Sequence, residues 1–164
     1  MKGTVGIVAF AFGVPETILS NQHIAQISSR KARELEAPVY TQLDVRVEQG
    51  IEVEYTDEQL GNPPATLRIA RGAIQWAKRR GFRDLWIVAA KPHLSRCLRD
   101  LTYAVREAGV QIKIHACKEI EQCPPDEWFC PNSTQVRTQS RKNWQNRERI
   151  LKFMPMFFYK RVAS

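Results

Sequence analysis

The chain has 164 residues, 43% of them hydrophobic and 26% charged, with a formal net charge of +8. That length and balance describe one domain with its own core. They exclude a wholly disordered chain, a solenoid of short repeats and a scaffold that needs disulfides to fold. The charge is uneven: Arg137 to Arg161 carries Arg137, Arg141, Lys142, Arg147, Arg149, Lys152, Lys160 and Arg161 against Glu148 alone, whereas Asp44 to Glu58 carries six acids against Arg46.

The apolar run Val5 to Phe12 is too short to span a bilayer, and no small-residue cleavage site follows it before Glu16. It reads as a buried first strand, and no other segment is long enough to cross a membrane. Without an export signal, Cys97, Cys117, Cys123 and Cys130 are expected to stay reduced, which places the chain in the cytoplasm. His115 and these cysteines lack the Cys-x-x-Cys pair of a zinc site and read as packed thiols.

Ser20 is a candidate N-cap for a helix over 21–36, with Ile24, Ile27 and Leu35 on its apolar side. Residues 37–43 form a short strand with Pro38 at its start, and Ile51 to Tyr55 alternates as a half-exposed strand. Pro63-Pro64 opens the clearest helix, which runs to Arg80. Leu67, Ala70, Ile74 and Ala77 make its stripe, and Gly81 closes it.

Asp84 to Ala90 is an apolar run without alternation, as in a strand covered on both faces. Pro92 fits the first turn of the next helix, Gly109 ends that helix, and 110–116 is another strand. The order of strand, helix and strand with short connections predicts an α/β fold with a parallel sheet flanked by helices. Residues 1–116 make this core. Residues 117–164 form an irregular extension with a basic helix over about 140–153 and an aromatic end, Phe157-Phe158-Tyr159.

The strand at 85–90 runs directly into Lys91-Pro92-His93-Leu94-Ser95-Arg96. Ligands of open parallel sheets sit at the carboxyl ends of strands, and a helix N-terminus attracts anions. His93 and Arg96, three residues apart, lie off the stripe of Leu94, Leu98, Leu101 and Val105 and share the first turn. Lys91, Arg96 and the helix dipole all favour a neutral His93, the candidate general base. Thr66 and Arg68 open the preceding helix, and Asp44 follows the second strand, so all three are expected at the same edge.

Ser29-Arg30, the segment Pro64-Ala65-Thr66-Leu67-Arg68-Ile69-Ala70 and the Lys-Pro-His-x-x-Arg turn together resemble the YdcF/SanA/ElyC-like family, a domain of unknown function. The resemblance covers roughly 4–116. It implies a Rossmann-like three-layer fold in which Arg30, Thr66, His93 and Arg96 line one pocket for a small anionic or nucleotide-like ligand. It also implies bacterial envelope-related metabolism and S-adenosylmethionine as a possible ligand. The chain departs from the family in its turns: only Gly13 stands after the first strand, and Thr41-Gln42-Leu43-Asp44 follows the second.

Neither G-x-G-x-x-G nor a Walker sequence is present, which disfavours ordinary dinucleotide or ATP binding, and no G-x-S-x-G elbow supports a serine hydrolase. The alternative to a ligand-binding core is a non-catalytic interaction domain. Its basic C-terminal segment, with Trp144 and the terminal aromatics, would contact nucleic acid or an anionic membrane surface.

Overall fold

Val5–Ala9 forms β1 at the centre of the sheet, pairing in parallel with β2 (Val39–Thr41) on one side and β4 (Asp84–Val88) on the other. β3 (Val53–Tyr55) and β5 (Lys113–Ala116) complete a five-stranded, all-parallel sheet in the order β3-β2-β1-β4-β5. The computed structural model describes residues 4–59 and 61–163.

Parallel strands need crossovers, and period-2 side chains must be buried on both faces. Ile7 and Ala9 of β1 and Val88 of β4 point to one face, against Ile24, Ala25 and Ile27 of α1 (Leu19–Leu35). Val8, Leu85 and Ile87 point to the other, against Ile69, Ala73 and Ile74 of α2 (Thr66–Arg80) and Cys97 and Leu101 of α3 (Lys91–Ala108). The result is the expected α/β sandwich of three layers. Gly81 and Gly109 end α2 and α3 in the left-handed conformation, with φ of 72° and 62°.

Several boundaries differ from the sequence expectation. β1 stops at Ala9, and the following residues turn over the edge of the sheet. α1 starts at Leu19, and Ser20 is not its cap: the Ser20 hydroxyl donates to the Phe12 carbonyl at 2.8 Å, and the Asn21 amide donates to the Gly13 carbonyl at 3.0 Å. Both side chains tie the loop after β1 to the helix instead. α2 starts at Thr66 because Ala65 is still extended, with φ −63° and ψ 150°. β5 begins only at Lys113.

Beyond β5 come three short 3₁₀ turns, at Lys118–Gln122, Pro125–Trp128 and Val136–Thr138, and then α4 (Arg141–Phe153). Ser140 caps α4, its hydroxyl oxygen accepting from the Asn143 N–H at 3.2 Å. The aromatic end is itself a helix, α5 (Met156–Ala163), restarted after Pro155. Ile120, Trp128 and Trp144 join the α1-side core, and Leu151 and Tyr159 close over Leu67. All four cysteines are free thiols, and no described helix is long and apolar enough to cross a membrane.

Candidate functional site

The chain turns from β1 toward β2 on one side, while β4 lies on the other. The loops after β1 and β4 therefore diverge and leave a crevice at the carboxyl edge. Its core walls are Ala11, Phe12 and Gly13 after β1, Gln42 after β2, Pro63 to Thr66 at the start of α2, and His93 and Arg96 in α3. The extension supplies the roof, with Arg137, Trp144 and Arg147 among its residues. Gly13 has φ 95°, and a Cβ there would meet the Ser133 and Thr138 hydroxyls at 2.7 and 2.8 Å, so the roof rests directly on this loop.

His93 is 6% exposed and packed among Phe10, Phe12 and Trp144, with its centroid 5.2 Å from the Trp144 ring. Its Nε2 lies 3.2 Å from the Thr66 hydroxyl, and its Nδ1 is buried without a hydrogen-bond partner. Burial first, and then the charges of Arg96, Arg137 and Arg147, hold its pKa well below the ordinary imidazole value. The ring is neutral.

Arg96 is buried one turn further along α3. Its Nε lies 3.0 Å from the Glu148 carboxylate without the alignment of a hydrogen bond, and its guanidinium covers the Trp144 ring at 5.3 Å. The Trp144 indole N–H donates to the Pro92 carbonyl at 3.0 Å, which pins α4 across the start of α3. Arg137 and Arg147 are half-buried and have no hydrogen-bonded acceptor or ion-pair partner among the described residues. Burial, then Arg147 and Arg96, push Arg137 down to about 10, and burial followed by Arg96 lowers Arg147. Three guanidiniums line the crevice, and no carboxylate does.

Of the residues singled out in the sequence, Thr66, His93 and Arg96 converge here; four others do not. Arg68 follows Thr66 by two residues and Lys91 precedes His93 by two, which on a helix of 3.6 residues per turn sets each more than half a turn away. Accordingly Arg68 is exposed beside Asp57 and Glu58, and Lys91 is exposed and paired with Glu121. Arg30 lies exposed on α1, on the opposite face of the sheet, near Arg33 and Glu48. Asp44 is buried but faces Glu58 and Glu16. The turn in which Val45 N–H donates to the Gln42 carbonyl sends Gln42, not Asp44, to the crevice.

Gln42, Arg137, Trp144 and Arg147 were not anticipated as site residues. Gln42 accepts from the Ala11 N–H at 2.9 Å and so holds the loop after β1. One signal was available for Arg147: it falls between Trp144 and Leu151 at i+3 and i+7, on the buried stripe of α4, where a merely solvated cation has no reason to be.

The free space in the crevice is about 50 Å³, room for a few waters or one oxyanion. A nucleoside-sized ligand such as S-adenosylmethionine would extend beyond this space through the mouth, and its sulfonium cation would be repelled by the three guanidiniums. Among the described residues, no group of three or more His, Cys, Asp or Glu side chains is placed to hold a metal ion. Compared with known proteins, the chain matches no family model, no curated protein and no solved structure.

Proposed function

We propose that the crevice binds a phosphoryl-sized oxyanion, either free or as the terminus of a larger ligand that projects from the mouth. The observation that carries this reading is the excess of positive charge: Arg96, Arg137 and Arg147 line about 50 Å³ with no acid among the lining residues, and Glu148 behind Arg96 is the one carboxylate that attracts all three. Arg96 pairs directly with Glu148, but Arg137 and Arg147 have no hydrogen-bonded acceptor among the described residues. Half-buried cations held together this way cost stability unless an anion joins them. Planar guanidiniums match the oxygen spacing of phosphate, and the first turn of α3 adds its dipole.

His93 serves here as an uncharged hydrogen-bond partner through its unpaired Nδ1. A proton taken at neutral pH would sit as a cation among three guanidiniums, so binding rather than general-base turnover is the supported reading. The turn that carries the YdcF-like resemblance is the same one that presents His93 and Arg96. The free, mostly buried thiols suit a reducing compartment, and we place the protein in the cytoplasm on that ground.

The test is thermal and chemical denaturation of the whole chain with inorganic phosphate, sulfate and acetate. Phosphate at about a hundred times its dissociation constant should raise stability by about 2.7 kcal/mol. Arg147→Ala should reduce that gain to below about 1 kcal/mol while leaving the unliganded protein folded. If phosphate and sulfate stabilise wild type and Arg147→Ala equally, or not at all, the crevice is not the site.

A further inference from the structure

The outer face of the C-terminal helices is apolar and cationic at once. Ile150 and Phe153 of α4 and Phe157, Phe158 and Val162 of α5 are exposed, Phe153 by 81% and Phe157 by 62%. On α5 the positions 157, 158, 161 and 162 share one side, so Phe157, Phe158 and Val162 form a face with Arg161 inside it. From Arg149 to the last residue the sequence contains Arg149, Lys152, Lys160 and Arg161 and no acid.

This face is held outward by specific contacts on the opposite side. Tyr159 is fully buried, its hydroxyl donates to the Asp100 carboxylate at 2.5 Å, and the Arg99 guanidinium covers its ring at 4.1 Å. Leu67, Leu151 and Tyr159 pack together beneath. With Tyr159 as the anchor, Phe157, Phe158 and Val162 on the other side of α5 stay more than half exposed, with the Arg161 guanidinium over the Phe157 ring at 4.8 Å. A cluster of large exposed apolar side chains within the thirteen residues from Ile150 to Val162, interleaved with cations, marks an interaction surface.

We infer that α5 and the end of α4 dock the protein onto an anionic phospholipid surface, with Phe153, Phe157 and Phe158 in the acyl boundary and Arg149, Lys152 and Arg161 at the headgroups. Charge complementarity selects the occupant: Arg149, Lys152 and Arg161 match a negatively charged interface, whereas Lys160 is turned inward over the Tyr103 ring at 4.7 Å. Nucleic acid suits the face less well. Ile150 and Val162 offer nothing to stack on, and the Phe157 and Phe158 rings meet edge to face at 80°, so they do not form a parallel platform for successive bases. The inserting phenylalanines are not among the residues that line the crevice, and Val162 alone, at the edge of the face, also borders it.

The test is co-sedimentation of the full chain with vesicles of phosphatidylcholine alone and of phosphatidylcholine mixed with phosphatidylglycerol. Wild type should bind the mixed vesicles, bind pure phosphatidylcholine weakly, and lose affinity as salt rises. The pair Phe157→Ser and Phe158→Ser should lower partitioning by at least about tenfold, and the pair Lys152→Gln and Arg161→Gln by about as much. Thermal melts of both variants should match wild type, since all four side chains are surface groups.

No binding to anionic vesicles at low salt, or unchanged binding by the serine pair, overturns the proposal. So does preferential retention by single-stranded RNA that vesicles cannot compete away. A self-association that the serine pair abolishes, without any vesicle binding, would assign the face to a second copy of the chain and overturn it as well.

Discussion

Asp44 and His93 are both buried titratable groups, and burial moves their pKa values so that each resists charging. For Asp44, burial and then the neighbouring Glu58 and Glu16 raise the carboxyl from its ordinary 3.8 to about 6. The folded state then holds the proton more tightly than the unfolded chain, so this contribution to stability is present below pH 4 and lost as pH rises to 6. His93 slopes the other way. Its folded pKa lies well below 6.5, so the unfolded chain binds the proton first and stability is lost as pH falls below that value. Asp44→Asn removes the first slope only. It should leave stability near pH 4 unchanged and raise it at pH 7 by about 1–3 kcal/mol, as measured by urea unfolding at the two pH values. A loss at pH 7 would mean that the carboxylate has a stabilising partner.

Among the elements, β1 and α2 are closely fitted. Gly6 faces the α2 side, where a Cβ would come 2.7 Å from the Trp76 ring and 2.8 Å from the Phe82 ring. Both rings are buried and stacked edge to face on one another, so neither can retreat. Gly6→Ala should therefore cost about 1–3 kcal/mol in chemical denaturation, although alanine has the better strand propensity. These elements were legible in the sequence because their signals are periodic. The stripe from Leu67 to Ala77 and the unbroken run from Leu85 to Val88 admit one reading each. The missed details are side chains that left their local task for a distant one, as with Ser20 serving the Phe12 carbonyl. α5 was hidden because its outward face is apolar, the reverse of the amphipathic pattern that signals a surface helix.

At the scale of the whole molecule the crevice is shared: the α/β core provides Thr66, His93 and Arg96, and the extension provides Arg137, Trp144 and Arg147. The core half was legible from the strand-to-helix turn. The other half was not, because a run of cations along one segment reads as a solvated face, and only tertiary packing shows which of them turn inward. The roof is latched by Tyr159 on Asp100, whose carboxyl is fully buried with Arg99 3.4 Å away as its other contact. Tyr159→Phe should cost about 1.5–3 kcal/mol, expose 141–163 to limited proteolysis and weaken phosphate binding together. Loss of stability without any change in proteolysis or phosphate binding would show that the latch does not serve the roof. Trp144 meanwhile touches both His93 and Arg96, whereas Trp76 lies under the α2 side of the sheet, Trp86 stacks on His115 and Trp128 packs against His23. Indole emission responds to the charges beside it, so the crevice carries its own chromophore, and its filling can be followed by fluorescence without an added dye.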